Sequence, residues 1–131
     1  MSKENTALAI VNGNADELTV KKALYNLANS ANTKLSSMVN KTFSIKLVTF
    51  TVADVLNRNT GEIETKDRAL VVDETGTTYH TVASGLINSL KSLCQLFGAD
   101  KNGLFEFSDE LECTVKERST PNGHTFYIEL I

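Results

Sequence analysis

The chain has 131 residues, 41% of them apolar and 22% charged, with a net charge of -3. That length suits one domain able to bury about two-thirds of its unfolded surface, and the composition is that of a soluble globular protein. The acidic balance argues against a broadly basic nucleic-acid surface and directs the search to local basic patches, while the lack of an 18-residue apolar run or a signal-peptide pattern argues against a membrane span or export. A cytoplasmic protein is the expectation.

In chain order, Thr6 to Val11 reads as a short strand or arm closed by the Asn12-Gly13 turn signal. Asn14 then precedes Ala15-Asp16-Glu17 at a helix-capping spacing, with acidic residues near the positive helix end. Val20, Leu24, Leu27, Ala28 and Ala31 form a helical stripe, so a helix is expected over about 15–31. This N-terminal extension, residues 1–38, is expected to plug one end of a second unit, residues 39–131.

Phe43 to Leu56 is the longest β-like run. Its apolar phase switches near Leu47-Val48, which demands a bulge or bend there. Asn57 to Lys66 reads as a polar connection turning at Gly61. Arg68 to Asp73 is a β-branched strand, Glu74 to Thr77 supplies a hairpin glycine, and Thr78 to Ala83 alternates as a further strand. Ser84 is the expected N-cap of a helix whose stripe is Leu86, Leu90, Leu93 and Phe97, widened by Ile87 and Cys94 and ended by a left-handed Gly98. Asp100 to Asn102 reads as a loop, Gly103 leads into Leu104 to Phe107, and Leu111 to Arg118 alternates cleanly. Ser119 to Gly123 is a turn, and Thr125 to Ile131 is the closing strand.

From Phe43 onward the order is strand, strand, strand, helix, strand, strand. With a bent first strand, that order fits a mainly-β fold: a five-stranded OB-like Greek-key barrel with a helix between strands 3 and 4. The rival is an α+β arrangement with the helix across an open antiparallel sheet.

The residues Thr60 to Glu64, Arg68 to Val72, Gly76 to Gly85 and Lys91 to Gly98, with Val115 to Ser119 ahead of Gly123 to Leu130, give this chain a pattern that resembles the single-stranded-DNA-binding proteins of phages and mobile elements in Gram-positive bacteria. The likeness spans roughly 38–131. It implies an OB-like fold and coating of single strands during phage DNA replication or recombination. Cellular bacterial relatives carry a disordered acidic tail that recruits partners. This chain ends inside its last strand, so that recruitment is not carried over.

The chemistry of the residues points the same way. Neither His80 nor His124 has a zinc-ligand pattern, and no P-loop, nucleophile elbow or dinucleotide fingerprint occurs, so neither an enzyme nor a cofactor is expected. Cys94 and Cys113 are expected as buried, reduced thiols. Asp109, Glu110 and Glu112 are better read as a solvated strand end than as a cation site. Single-strand binding requires cations along the phosphates and aromatic faces for the bases. Arg58, Lys66 and Arg68 bracket one loop, and Lys116 and Arg118 run toward the other; in an OB-fold these loops flank the oligonucleotide groove. Lys21, Lys22 and Lys34 are another basic stretch, partly neutralised by Asp16 and Glu17. Tyr79 and Tyr127 stand in the phase opposite their apolar neighbours, either as stacking faces or half-buried at the barrel rim. Phe97 and Phe126 are expected in the core; the phase switch leaves Phe43 and Phe50 open between core and surface, with core favoured, while Phe105 and Phe107 either pack beneath the helix or offer a stacking face. The expected partners are single-stranded DNA, other replication or recombination proteins, and a second copy of the chain, because the N-terminal segment can pack on a neighbour as readily as on its own barrel. The alternative is the same barrel used as a protein-interaction module.

Overall fold

A computed structural model of the chain describes residues 17–31, 33–101, 103–121 and 123–131. The expected strand at 6–11 and the capping residues Asn14 to Asp16 lie outside them. The elements in order are α1 (Glu17–Ser30), β1 (Thr33–Lys34), a 3-10 turn (Leu35–Met38), β2 (Thr42–Leu56), β3 (Ile63–Asp73), β4 (Thr78–Thr81), α2 (Ser84–Phe97), β5 (Ala99–Lys101), β6 (Leu104–Thr120) and β7 (Gly123–Leu130).

β2 is the axis of the fold. It pairs antiparallel with β3 on one side and β6 on the other, and both registers skip between Ile45 and Leu47. The bulge at Lys46 lies just ahead of the expected position and does what the phase switch demanded. Phe43, Ile45 and Val48 join the inner core, while Leu47 turns to the opposite face. A strand buried on both faces cannot alternate simply, so its apolar residues crowd around the bulge.

The result is a mainly-β, curled half-barrel with strand order β1-β4-β3-β2-β6-β5 and β7 on β6. Seven strands replace the expected five, and α2 lies between the fourth and fifth rather than the third and fourth. The additional strands are short edges: β1 pairs parallel with β4, and β5, expected as a loop, pairs with the start of β6. Among the described residues no pairing joins β4 to β7. The stripe of α2 fills that side instead, with Leu86, Ile87, Leu90, Leu93 and Cys94 buried. Gly85 lets the helix approach β7, since a Cβ there would collide with the Phe126 carbonyl oxygen.

Three local expectations at α2 are corrected. The residue before the helix is Ala83, with no side-chain cap, so Ser84 is the first helical residue. Gly98 is extended at φ -84° rather than left-handed, and its N–H reaches Cys94 O at 2.9 Å. Phe97, expected in the core, is 39% exposed because it ends the helix where the sheet stops covering it. The turn glycines Gly61 (φ 74°) and Gly76 (φ 86°) are left-handed as their hairpins require.

α1 does not plug an end of the barrel. It lies on the outer face of the sheet, where Val20, Ala23, Leu27 and Ala31 pack on Leu47, Leu70, Val72 and Leu104. The cause is the same bulge: once Leu47 turns outward beside Leu70 and Val72, the outer face carries an apolar patch that water solvates poorly. Covering it contributes about 1.5–3 kcal/mol for each aliphatic side chain fully buried. No helix among the described residues is long and apolar enough to cross a membrane.

Candidate nucleic-acid interface

Two hairpin arms leave the sheet. β6 pairs with β2 only as far as Thr49, and β4 pairs with β3 only from Ala69. Residues 50–56 and 63–68 therefore extend as a two-stranded ribbon. Its tip is tied by Asn57, whose Oδ1 accepts from the Asn59 N–H at 2.9 Å and whose Nδ2 donates to Glu64 Oε1 at 2.8 Å. At the other end of β2, β6 runs on past Thr114, bridges once to Val39 through Val115, and pairs with β7 along its remaining length, forming the second arm with α2 packed on β7.

The expected site residues separate along this frame. On the second arm, register places Lys116 opposite Tyr127 and Arg118 opposite Thr125, so the four share one face. The Arg118 guanidinium carbon stands 4.5 Å from the Tyr127 ring centroid, a cation–π pair on a ribbon open to solvent. Lys116 Nζ donates to Asn40 Oδ1 at 3.3 Å, and Asn40 holds a left-handed φ of 63°. The opposite face carries Glu117 and His124, 3.8 Å apart. On the first arm, Arg58 is exposed at the tip and Lys66 is exposed on β3. The two arms spring from opposite ends of β2, so their cations border a surface rather than forming one cluster.

Two of the expected site residues are corrected. Tyr79 is only 5% exposed: its ring packs 5.9 Å from that of Phe43, and its hydroxyl donates to Asp73 Oδ2 at 2.8 Å. Burial and then that bond push its pKa up to about 12. It is a core residue, because Asp73 supplies the buried partner that the hydroxyl needs. Arg68 is half-buried, with Nη1 and Nη2 donating to the carbonyls of Ala28 and Ala31 at 3.1 Å each. It satisfies carbonyls that the end of α1 leaves open.

The remaining aromatics are accounted for. Phe107 is fully buried, and Phe105 packs edge-on to Phe50 with centroids 6.1 Å apart. Phe43 is buried, and Phe50, Phe105 and Phe126 pack against the inner core. Lys91 lies over Phe50 at 5.9 Å and 3.8 Å from Asp67.

Sequence reasoning missed a cationic stripe on the outer face. β1 sets Lys34 opposite His80, and His80 opposite Leu70 lies diagonally beside Arg68. Burial, then Arg68, then Lys34 lower the His80 pKa. Lys66 continues the line along β3. A two-residue parallel strand leaves no periodic signal, so nothing local announced that Lys34 belongs there.

Chemically reactive groups are muted. Cys94 and Cys113 are free and buried, and burial raises both thiols to about 12, Cys94 with help from Asp100 and Cys113 from Glu74 and Glu112. Asp109, Glu110 and Glu112 are exposed, and among the described residues no group of three or more His, Cys, Asp or Glu is placed to hold a metal ion. Comparison with family models, with curated proteins and with solved structures finds no match for this chain.

Proposed function

We propose that this chain is a sequence-tolerant single-stranded-DNA-binding protein, acting without catalysis in DNA replication or recombination, and that its resemblance to the phage and mobile-element proteins reflects that role. The observation that carries the reading is the Arg118–Tyr127 stack on the open β6/β7 arm, with Lys116 on the same face. A planar cation on an aromatic ring presents the two surfaces that a single strand needs, one for phosphate and one for a base. Arg58 and Lys66 on the other arm, with Lys34 at the β1 edge of the sheet, supply further phosphate contacts. Binding rests on charge and stacking, so it is tolerant of sequence and sensitive to salt.

The test is a titration of fluorescent oligo-dT at several salt concentrations, with an equal-length duplex as control. The log–log salt slope is expected near -0.7 per phosphate contacted, with much weaker duplex binding. Equal binding to duplex, or no binding at low salt, overturns the reading.

One observation favours the protein-interaction alternative. Val52, Leu56 and Ile63 are all more than half exposed on one face of the β2/β3 arm. The edge of β3 at 63–68 has no strand partner among the described residues, which suits a partner strand bringing its own apolar face. Failure of the DNA titration combined with loss of partner binding in Ile63→Lys distinguishes this alternative.

A further inference from the structure

The outward face of α1 carries a second feature of the kind that single strands use. With Val20, Ala23 and Leu27 committed to the sheet, the helix turns Lys21, Lys22, Tyr25 and Asn26 away from it. These four line a shallow groove that is widely open to solvent. Tyr25 is 72% exposed, an unusual outlay of aromatic surface on a helix that had an apolar face available for it. Its neighbours are two ammonium groups and a side-chain amide.

We infer that this groove is a second contact for the same single strand, taking one nucleotide with its base stacked on Tyr25, its phosphate at Lys21 and Lys22, and the Asn26 amide at a base edge or sugar. The inference rests on the proposed single-strand function and extends it to a surface outside the two arms. Three observations support it. An aromatic face beside cations is the minimal stacking-plus-phosphate unit. α1 is held in place by Arg68, whose two bonds to the Ala28 and Ala31 carbonyls fix the end of the helix. Because α1 lies on the outer face of the sheet, the groove opens on the same side of the molecule as Lys66, His80 and Lys34, so one strand can pass from that stripe onto the helix.

The experiment uses the full chain with oligo-dT and with a 5-bromodeoxyuridine oligonucleotide for photocrosslinking. The variants are Tyr25→Ala, Tyr25→Phe, Lys22→Gln and, as a control on the arm, Tyr127→Ala. Tyr25→Ala replaces an exposed helical residue with a better helix former, so the fold persists and circular dichroism checks it. The expected result is a crosslink in the tryptic peptide 23–34 of the wild type and of Tyr25→Phe. That crosslink is lost in Tyr25→Ala, whose affinity falls about five- to hundred-fold, the worth of one stacked base. Lys22→Gln shallows the salt slope by about 0.7. If the wild type binds and Tyr127→Ala weakens it, while Tyr25→Ala binds as the wild type does and no crosslink maps to α1, the groove is not a contact and the arm reading stands. If the wild type binds no single strand, both readings fall.

Discussion

The Tyr79 hydroxyl donates to Asp73 Oδ2 at 2.8 Å inside the core, and the other oxygen of the same carboxylate gathers the turn. Asp73 Oδ1 accepts from the N–H and hydroxyl of Thr75 at 2.9 and 2.7 Å and from the N–H of Thr77 at 3.0 Å. One buried carboxylate therefore ties the β3/β4 hairpin to the aromatic pair Phe43–Tyr79. Tyr79→Phe leaves Oδ2 without its donor and is expected to cost about 1–3 kcal/mol. Urea denaturation should show a lower midpoint with unchanged slope, and oligo-dT affinity should stay as in the wild type. The raised Tyr79 pKa has an alkaline consequence: stability is full below its unfolded value near 10 and is lost as pH rises toward about 12. That loss should be smaller in Tyr79→Phe, read from the difference between the two stability–pH curves.

Arg68 links the two layers of the fold by holding the Ala28 and Ala31 carbonyls from β3. Arg68→Ala opens those bonds and is expected to cost about 1.5–3 kcal/mol, the range for a charged donor. Amide hydrogen exchange should quicken first in α1, ahead of β2 and β6, because the helix is then held by one apolar stripe and the Thr78 hydroxyl on the Ser30 carbonyl.

His80 gives the fold an acid-side dependence. Its pKa is lowered by burial and by Arg68 and Lys34, so the unfolded chain takes up the proton more readily than the folded one. Stability is fully present above the unfolded value near 6.5 and falls as pH drops through the lower folded value. His80→Gln should flatten that segment of the stability–pH curve. His124→Gln, at an exposed position, should leave the His80 contribution in place.

Gly85 is a contact glycine rather than a turn glycine. Gly85→Ala drives its methyl group into the Phe126 carbonyl, with the Thr125 hydroxyl also in the way. Shifting α2 off β7 is expected to cost about 1–3 kcal/mol, as other overpacked sites do. A thermal melt measures it.

Tyr127→Ala removes the ring beneath Arg118 on the face of the arm turned away from Phe126 and Ile128, so the core is left intact. Oligo-dT affinity is expected to fall about five- to hundred-fold, with a melting temperature close to that of the wild type. Arg118→Ala should weaken binding and also shallow the salt slope by about 0.7.

Elements with their own period were legible in the sequence. The α1 stripe, the α2 stripe, the alternation of Leu111, Cys113 and Val115, and the phase switch of β2 all follow from local spacing, because each strand or helix must present apolar residues at its own repeat. Arg58 and Lys66 were read from a polar connection at 57–66 whose last residues, Lys66 among them, belong to β3, whereas Lys116 and Arg118 were legible as lying off the core face because they stand out of the apolar phase. Tyr79 misled for the same reason. Its neighbour Val82 suggested an outward tyrosine, but a carboxylate from the preceding strand made its burial affordable.

Composition and periodicity by themselves determined a mainly-β chain with a bulged long strand and two helices, each carrying one apolar stripe. Tertiary structure alone decided where α1 lies, that Arg68 serves its carbonyls, and that Lys34 and His80 share a stripe. Those outcomes depend on contacts between residues some 40 or more positions apart, Arg68 with Ala28 and Lys34 with His80. Local spacing encodes which face of an element is apolar; it does not encode which distant surface that face meets.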